Sequence, residues 1–176
     1  MFRTFLCAVL SFSAFYQIGT AREPETAQTI EELEQGIENK EPSTYFALAT
    51  ELFRSGQRED AAFWYFVGEL RYRFLVLAKA KGSELSEEQG HFWLLSESVG
   101  QSIYQRANKH SASLMQAIDR ALDWDLQQPN GYTSKTEFKA EHARARQEML
   151  ALRERIKTDP SGLSKPLPRG SGLISW

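Results

Sequence analysis

The chain has 176 residues, 41% hydrophobic and 25% charged, a balance that suits one folded domain with end segments attached. Its 23 acidic residues slightly outnumber 21 basic ones, a formal charge of −2, which argues against a nucleic-acid binder or a polybasic membrane-surface helix. The one cysteine, Cys7, rules out a disulfide framework within the chain.

Arg3 precedes an apolar run from Thr4 to Phe15, and Gly19-Thr20-Ala21 offers small residues of the kind a signal peptidase reads. Residues 1–21 are therefore expected to be a signal peptide cleaved before Arg22. The run is too short for a stable membrane anchor. Thr4-Phe5-Leu6 also lacks the small residues that precede a lipidated cysteine. Cleavage removes Arg3 and Cys7, leaving 20 basic against 23 acidic residues and no cysteine. The expected address is the bacterial periplasm, with the extracellular medium as the alternative, and the core must hold the fold without disulfides. Residues 22–28 read as a flexible lead-in and 29–158 as a helical domain. Residues 159–176, rich in proline, glycine and serine, read as a disordered tail with an apolar end at Leu173-Ile174-Ser175-Trp176.

Within the domain, Thr29 is a plausible N-cap, and Ile30, Leu33 and Ile37 recur at helical spacing, which predicts a short first helix laid over the core, with an arm that orders only on binding as the alternative. Glu41-Pro42 opens the next helix, with Tyr45, Leu48, Ala49 and Leu52 as its buried stripe and Gly56 as its left-handed stop. Glu59 and Asp60 then place negative charge at a helix start, where the backbone dipole favours it. From Ala61 to Leu77 the chain is apolar almost all round, interrupted by Glu69, Arg71 and Arg73. Such a helix must be wrapped by others, and its charges exclude a membrane span. Gly82 is the expected stop.

Ser86 with Gln89 forms a capping box for a further helix with the stripe Phe92, Leu95, Val99, Ile103 and Ala107, in which Gly100 predicts a kink or a break. Ser111 is expected to cap another helix, with Leu114, Ile118, Ala121 and Leu122 inside and Asp119 and Arg120 outside. Pro129-Asn130-Gly131 is a strong turn. Ser134 with Glu137 then opens a last helix bearing Phe138, His142, Ala145, Met149, Leu152 and Ile156.

Tyr45, Leu48-Ala49, Leu52, Gly56, Ala61, Tyr65 and Gly68 occupy, in order, positions at which a tetratricopeptide repeat carries the same residue types, so residues 45–73 resemble one such helix-turn-helix. One copy is visible, and Arg73 stands where the closing proline is usual, so the resemblance implies a hairpin rather than a solenoid. More loosely, Trp64-Tyr65-Phe66-x-Gly68, Tyr72-Arg73, Trp124-Asp125 and Pro129-Asn130-Gly131 look like a family of exported bacterial proteins.

Chemistry is sparse. Glu88-x-x-His91 has the spacing of one arm of a di-iron site, but no second arm exists, so no metal and no cofactor are expected. There is no Gly-x-Ser-x-Gly elbow and no glycine-rich phosphate cradle. Asp123 and Asp125 flank Trp124 and diverge along a helix, which favours solvent-facing charges over paired catalytic carboxylates. His142 falls on an apolar stripe, the place of a hydrogen-bonded core or edge histidine rather than a catalytic one. Glu69, Arg71 and Arg73 lie in a helix that should be buried, where ions must be paired or reach a rim. Two roles are open to them. They form an internal salt bridge, or they form a binding patch with Trp64, Tyr65 and Tyr72.

The expected fold is an all-α compact bundle of about five or six helices around the tetratricopeptide-like antiparallel hairpin. The leading functional expectation is a non-enzymatic periplasmic module that binds a protein or peptide, an immunity-type inhibitor of a secreted toxin being one version. The alternatives are an enzyme acting on cell-wall material through carboxylates, and a small-ligand binder using an aromatic groove. No nucleic acid and no membrane are expected as partners after signal cleavage.

Overall fold

A computed structural model describes residues 28–80, 87–105 and 107–159. The expected signal peptide, the lead-in up to residue 27, the Gly82 stop, the Ser86 cap and the tail from Pro160 lie outside the described residues. The described chain is all-helical: α1 (Ile30–Glu34), a 3-10 turn (Ile37–Asn39), α2 (Ser43–Arg54), α3 (Arg58–Lys79), α4 (Glu87–Tyr104), α5 (Ala107–Gln127) and α6 (Lys139–Thr158). No helix among the described residues is long and apolar enough to cross a membrane.

Thr29 caps α1 as its sequence predicts, and the box is reciprocal: its hydroxyl accepts from the Glu32 N–H while the Glu32 carboxylate accepts from the Thr29 N–H. The expected single helix through Ile37 does not form. The chain leaves α1 at Gln35, Gly36 takes φ +64°, and a 3-10 turn places Ile37 in the core. Leu33 and Ile37 are both buried, so the apolar spacing is used by two elements instead of one. The Lys40 ammonium closes the end of α1 by donating to the carbonyls of Glu32 and Leu33 at 2.5 and 3.1 Å.

Helix α2 ends as predicted. Gly56 has φ +88°, its N–H donates to the Phe53 carbonyl, and the Gln57 N–H donates to that of Leu52. These two bonds make up a Schellman motif. The short link to α3 folds the two helices back on each other, so that Gly68 of α3 lies against Tyr45 and Phe46 of α2. A Cβ at Gly68 would sit 3.1 Å from both neighbours, so the missing side chain sets how closely the helices approach.

Sixteen of the 22 residues of α3 are buried, which makes it the axis of the bundle. Helices α2, α4, α5 and α6 all pack on it, and α5 packs on α6. Gly100 neither kinks nor breaks α4, which runs unbroken from Glu87 to Tyr104. Its role is steric: a Cβ there would sit 2.5 Å from the Tyr65 hydroxyl oxygen. The irregularity lies further on, at His110 (φ −130°, ψ 26°), one residue before the expected cap at Ser111. Leu114, Ile118, Ala121 and Leu122 are buried as the stripe predicts. The hydroxyl of Ser134 does accept from the Glu137 N–H, at 3.2 Å, but that bond closes a turn; α6 itself begins at Lys139. Ala145, Met149, Leu152 and Ile156 form its buried stripe.

A buried ionic hub beneath an open groove

The six residues singled out on α3 do not share one patch. A helix advances about 100° per residue, so Trp64 and Arg71, seven apart, share one face, while Tyr65, Glu69, Tyr72 and Arg73 lie on another. The first face meets α2 and α5. Trp64 stacks on Tyr45 with centroids 5.9 Å apart and meets the edge of Trp124 at 5.3 Å. The second face meets α4 and α6.

On that second face Arg73 Nη2 lies 2.9 Å from Glu69 Oε2, and its Nε lies 3.5 Å from Glu148 Oε2. Its Nη1 donates to the Met149 sulfur at 3.0 Å, and the guanidinium lies over the Phe92 ring, 5.3 Å from its centroid. Tyr72 stacks on Phe92 at 5.3 Å. The Tyr65 hydroxyl lies 3.1 Å from Glu69 Oε1 and 3.2 Å from the Ser96 carbonyl. Burial, with the Glu69 charge, raises the Tyr65 hydroxyl well above its usual pKa of 10, and burial raises Tyr104 as well. Arg144 reaches Glu148 at 3.1 Å, so two arginines meet two carboxylates and the cluster is balanced.

The first face holds a different arrangement. Arg71, 1% exposed, makes four hydrogen bonds: Nε on Asp125 Oδ1 at 3.3 Å, Nη1 on the Tyr45 hydroxyl at 2.7 Å and the Glu38 carbonyl at 2.8 Å, Nη2 on the Pro129 carbonyl at 2.6 Å. Its guanidinium also lies over the Trp124 ring, 4.6 Å from the centroid. Tyr45, desolvated by burial despite the Arg71 charge, has its hydroxyl pushed up to about 12.

Asp125 is the hub. Expected to face solvent, it is 1% exposed, whereas Asp123 is exposed. The reason is register: the buried stripe Leu114, Ile118, Ala121 and Leu122 continues by three or four residues to Asp125 and misses Asp123. Around its carboxylate stand Arg71, Lys135 at 3.2 Å, Arg146 at 3.7 Å and His142 Nε2 at 2.7 Å. An ionised carboxylate can only accept, so His142 carries its proton on Nε2 and donates. His142, partly exposed, therefore takes the edge position among the hydrogen-bonded roles its stripe allows. Burial raises the Asp125 pKa, but the His142 hydrogen bond and the charges of Lys135 and Arg71 outweigh it, and the carboxyl is held below its usual value. Burial likewise depresses the Lys135 ammonium against the pull of Asp125.

Three cationic side chains thus surround one carboxylate. The excess is met by backbone carbonyls at the end of α5, where the helix dipole is negative. Lys135 donates to the carbonyls of Asp125 and Gln128, the latter at 2.9 Å, and Arg146 donates to that of Leu122 at 2.7 Å. The Lys135 bonds fold the segment that follows α5 back onto the end of that helix, and the Arg71 bond to the Pro129 carbonyl ties its start to α3. Gly131 completes the attachment, its N–H donating to the Glu38 carbonyl at 3.2 Å, and any Cβ there would collide with Asn39.

That pinned segment, Pro129 to Phe138, walls an open groove of about 680 Å³ against Leu75, Ala78 and Lys79 of α3. The volume lies within the roughly 300–1,000 Å³ typical of ligand clefts. Two polar atoms of the wall, Asn130 Nδ2 and Thr133 Oγ1, are buried without a hydrogen-bond partner. Asn130 Oδ1 accepts from the N–H groups of Tyr132 and Thr133, which fixes the amide orientation and leaves Nδ2 as the spare donor. A buried unsatisfied polar group typically costs about 1–3 kcal/mol. Sequence reasoning marked Pro129-Asn130-Gly131 as a turn only; the paired Asn-x-x-Thr polarity was the available signal for more.

Glu88 lies 2.9 Å from Lys79, and His91 is exposed. Among the described residues no three metal-ligating side chains come together. No protein-family model, no characterised protein and no solved structure matches the chain. Fold and site therefore define an all-helical bundle with an ionic hub under one wall of a groove.

Proposed function

We propose that the protein is an exported, non-enzymatic interaction module that binds a partner protein or peptide, with the Pro129–Phe138 groove as its contact face. The observation that carries this reading is the commitment of the deep ionisable groups. Arg71, Arg73, Glu69 and Asp125 are all engaged in internal ion pairs, and the bonds of Asp125 to Lys135 and of Arg71 to the Pro129 carbonyl hold the groove wall in place. An inhibitor of the immunity type, which blocks a secreted toxin by occupying it, is a concrete form of such a module. A tetratricopeptide-like hairpin would serve it as scaffold rather than as a repeat array.

The test has two arms. A photoreactive residue at Tyr132, which is 44% exposed on the groove, and one at Leu150, 47% exposed on α6, are introduced into the exported protein in cells. The reading predicts one reproducible adduct from position 132 and none from 150. Purified protein should release no fragments from peptidoglycan. Turnover, or adducts indifferent to position, would overturn it.

A further inference from the structure

We infer that the groove beside Pro129–Phe138 takes an uncharged stretch of peptide, a backbone carbonyl docking at Asn130 and Thr133 and an apolar side chain resting on Leu75, Ala78 and Phe138. This deepens the proposed function and rests on it. Thr133 is 4% exposed and Asn130 is partly buried; both line the groove, and each has a buried side-chain atom with no hydrogen-bond partner. Asn130 Nδ2 can only donate, and the Thr133 hydroxyl can donate too. Together they leave spare hydrogen-bonding capacity for an acceptor oxygen, which every peptide unit offers.

The charges nearby argue for a neutral ligand. Lys79 is paired with Glu88 at 2.9 Å, and Lys135 is spent on the Asp125 carboxylate and two carbonyls. Lys135 is thus committed inside the fold, and the exposed Lys79 already has a carboxylate partner beside it. The apolar lining gives the side chain next to the docked carbonyl somewhere to be buried, and hydrogen bonding to the main chain with a pocket for a side chain is a recurring way proteins read peptides.

The probes are N-acetylated, C-amidated tetrapeptides Gly-X-Gly-Gly with X as Phe, Leu or Gly, and the Phe peptide as a free acid. They are titrated against the full-length protein by NMR, following the Asn130 side-chain amide and the Thr133 backbone amide. The Phe and Leu amides should shift both signals and bind at least tenfold more tightly than the Gly peptide. Thr133→Val keeps the shape and removes the hydroxyl; it should weaken the Phe amide about tenfold while leaving Tm unchanged or higher. Absence of shifts at millimolar peptide, or Thr133→Val binding as well as the parent, would overturn the inference. So would tenfold tighter binding of the free acid, which would make the groove an anion site. The two readings fail separately: a partner cross-linked through another face, without peptide binding, retires the groove and keeps the module. Peptidoglycan turnover retires the module whatever the groove binds.

Discussion

The Arg71 guanidinium and the Asp125 carboxylate, 54 positions apart in the chain and each 1% exposed, meet at 3.3 Å and tie the central helix to the end of α5. Breaking one side of a buried pair is costly because the survivor keeps a charge with no counter-ion; about 3–5 kcal/mol is typical. Asp125→Asn leaves Arg71, Lys135 and Arg146 facing one another. Its Tm in calorimetry should fall by about 6–20 °C, taking about 2–4 °C per kcal/mol for a domain of this size. In a double-mutant cycle, Arg71→Met with Asp125→Asn should cost clearly less than the sum of the two single changes.

Acid should act through the same residue. The Asp125 carboxyl is held below its usual value in the fold. A group depressed in the native state contributes stability above its unfolded pKa, about 3.9 for aspartate, and that contribution fades as pH falls through the native value. Urea midpoints should therefore drop as pH is lowered below about 4. Asp125→Asn should flatten that part of the profile, and an unchanged slope would remove Asp125 from the acid response.

Alkali should act through buried phenols. Tyr45, raised to about 12, and Tyr65, raised well above 10, are both pushed up chiefly by burial. A phenol raised by folding contributes stability below its unfolded value, near 10, and loses it as pH rises toward the native one. Tyrosinate absorbance near 295 nm should then show a late phase above about pH 11 that coincides with loss of helical circular dichroism. A full tyrosine titration in a still-helical protein would contradict this.

Two glycines of α4 should respond oppositely to the same change. Gly100→Ala places a methyl 2.5 Å from the Tyr65 hydroxyl oxygen, and overpacking of this kind costs about 1–3 kcal/mol. Gly90 is exposed with nothing near its Cβ position. Gly90→Ala should stabilise by about 0.4–1 kcal/mol, since alanine is the better helix former and loses less chain entropy. Denaturant midpoints of the two variants should move in opposite directions.

Much of the fold was legible because it rests on local rules. The Thr29 cap, the Gly56 stop and the stripes of α5 and α6 each need only a few neighbouring residues to be read. The first helix was misjudged because Gly36, which turns the chain, sits inside an otherwise regular apolar spacing. Gly100 was read as a break since sequence shows a glycine's backbone freedom but not the Tyr65 hydroxyl packed against it. The hub was hidden for a related reason. Asp125 is one carboxylate in an acidic stretch until the α5 stripe is extended onto it, and Lys135, His142 and Arg146 reach it from beyond a turn. The split of Trp64 and Arg71 from Tyr65, Glu69, Tyr72 and Arg73 was available from helical rotation alone; the common polarity of Glu69, Arg71 and Arg73 obscured it.

The central claim is that the Asp125 hub fastens the Pro129–Phe138 segment to the bundle and so builds the groove. Native-state amide hydrogen exchange reads this directly, comparing the parent chain with Asp125→Asn under conditions where both are folded. The Gly131 N–H, bonded to the Glu38 carbonyl, and the Tyr132 and Thr133 N–H groups, bonded to Asn130, should lose protection in the variant, while the interior amides of α2 and α3 stay protected. Unchanged protection at Gly131, Tyr132 and Thr133 would contradict the claim.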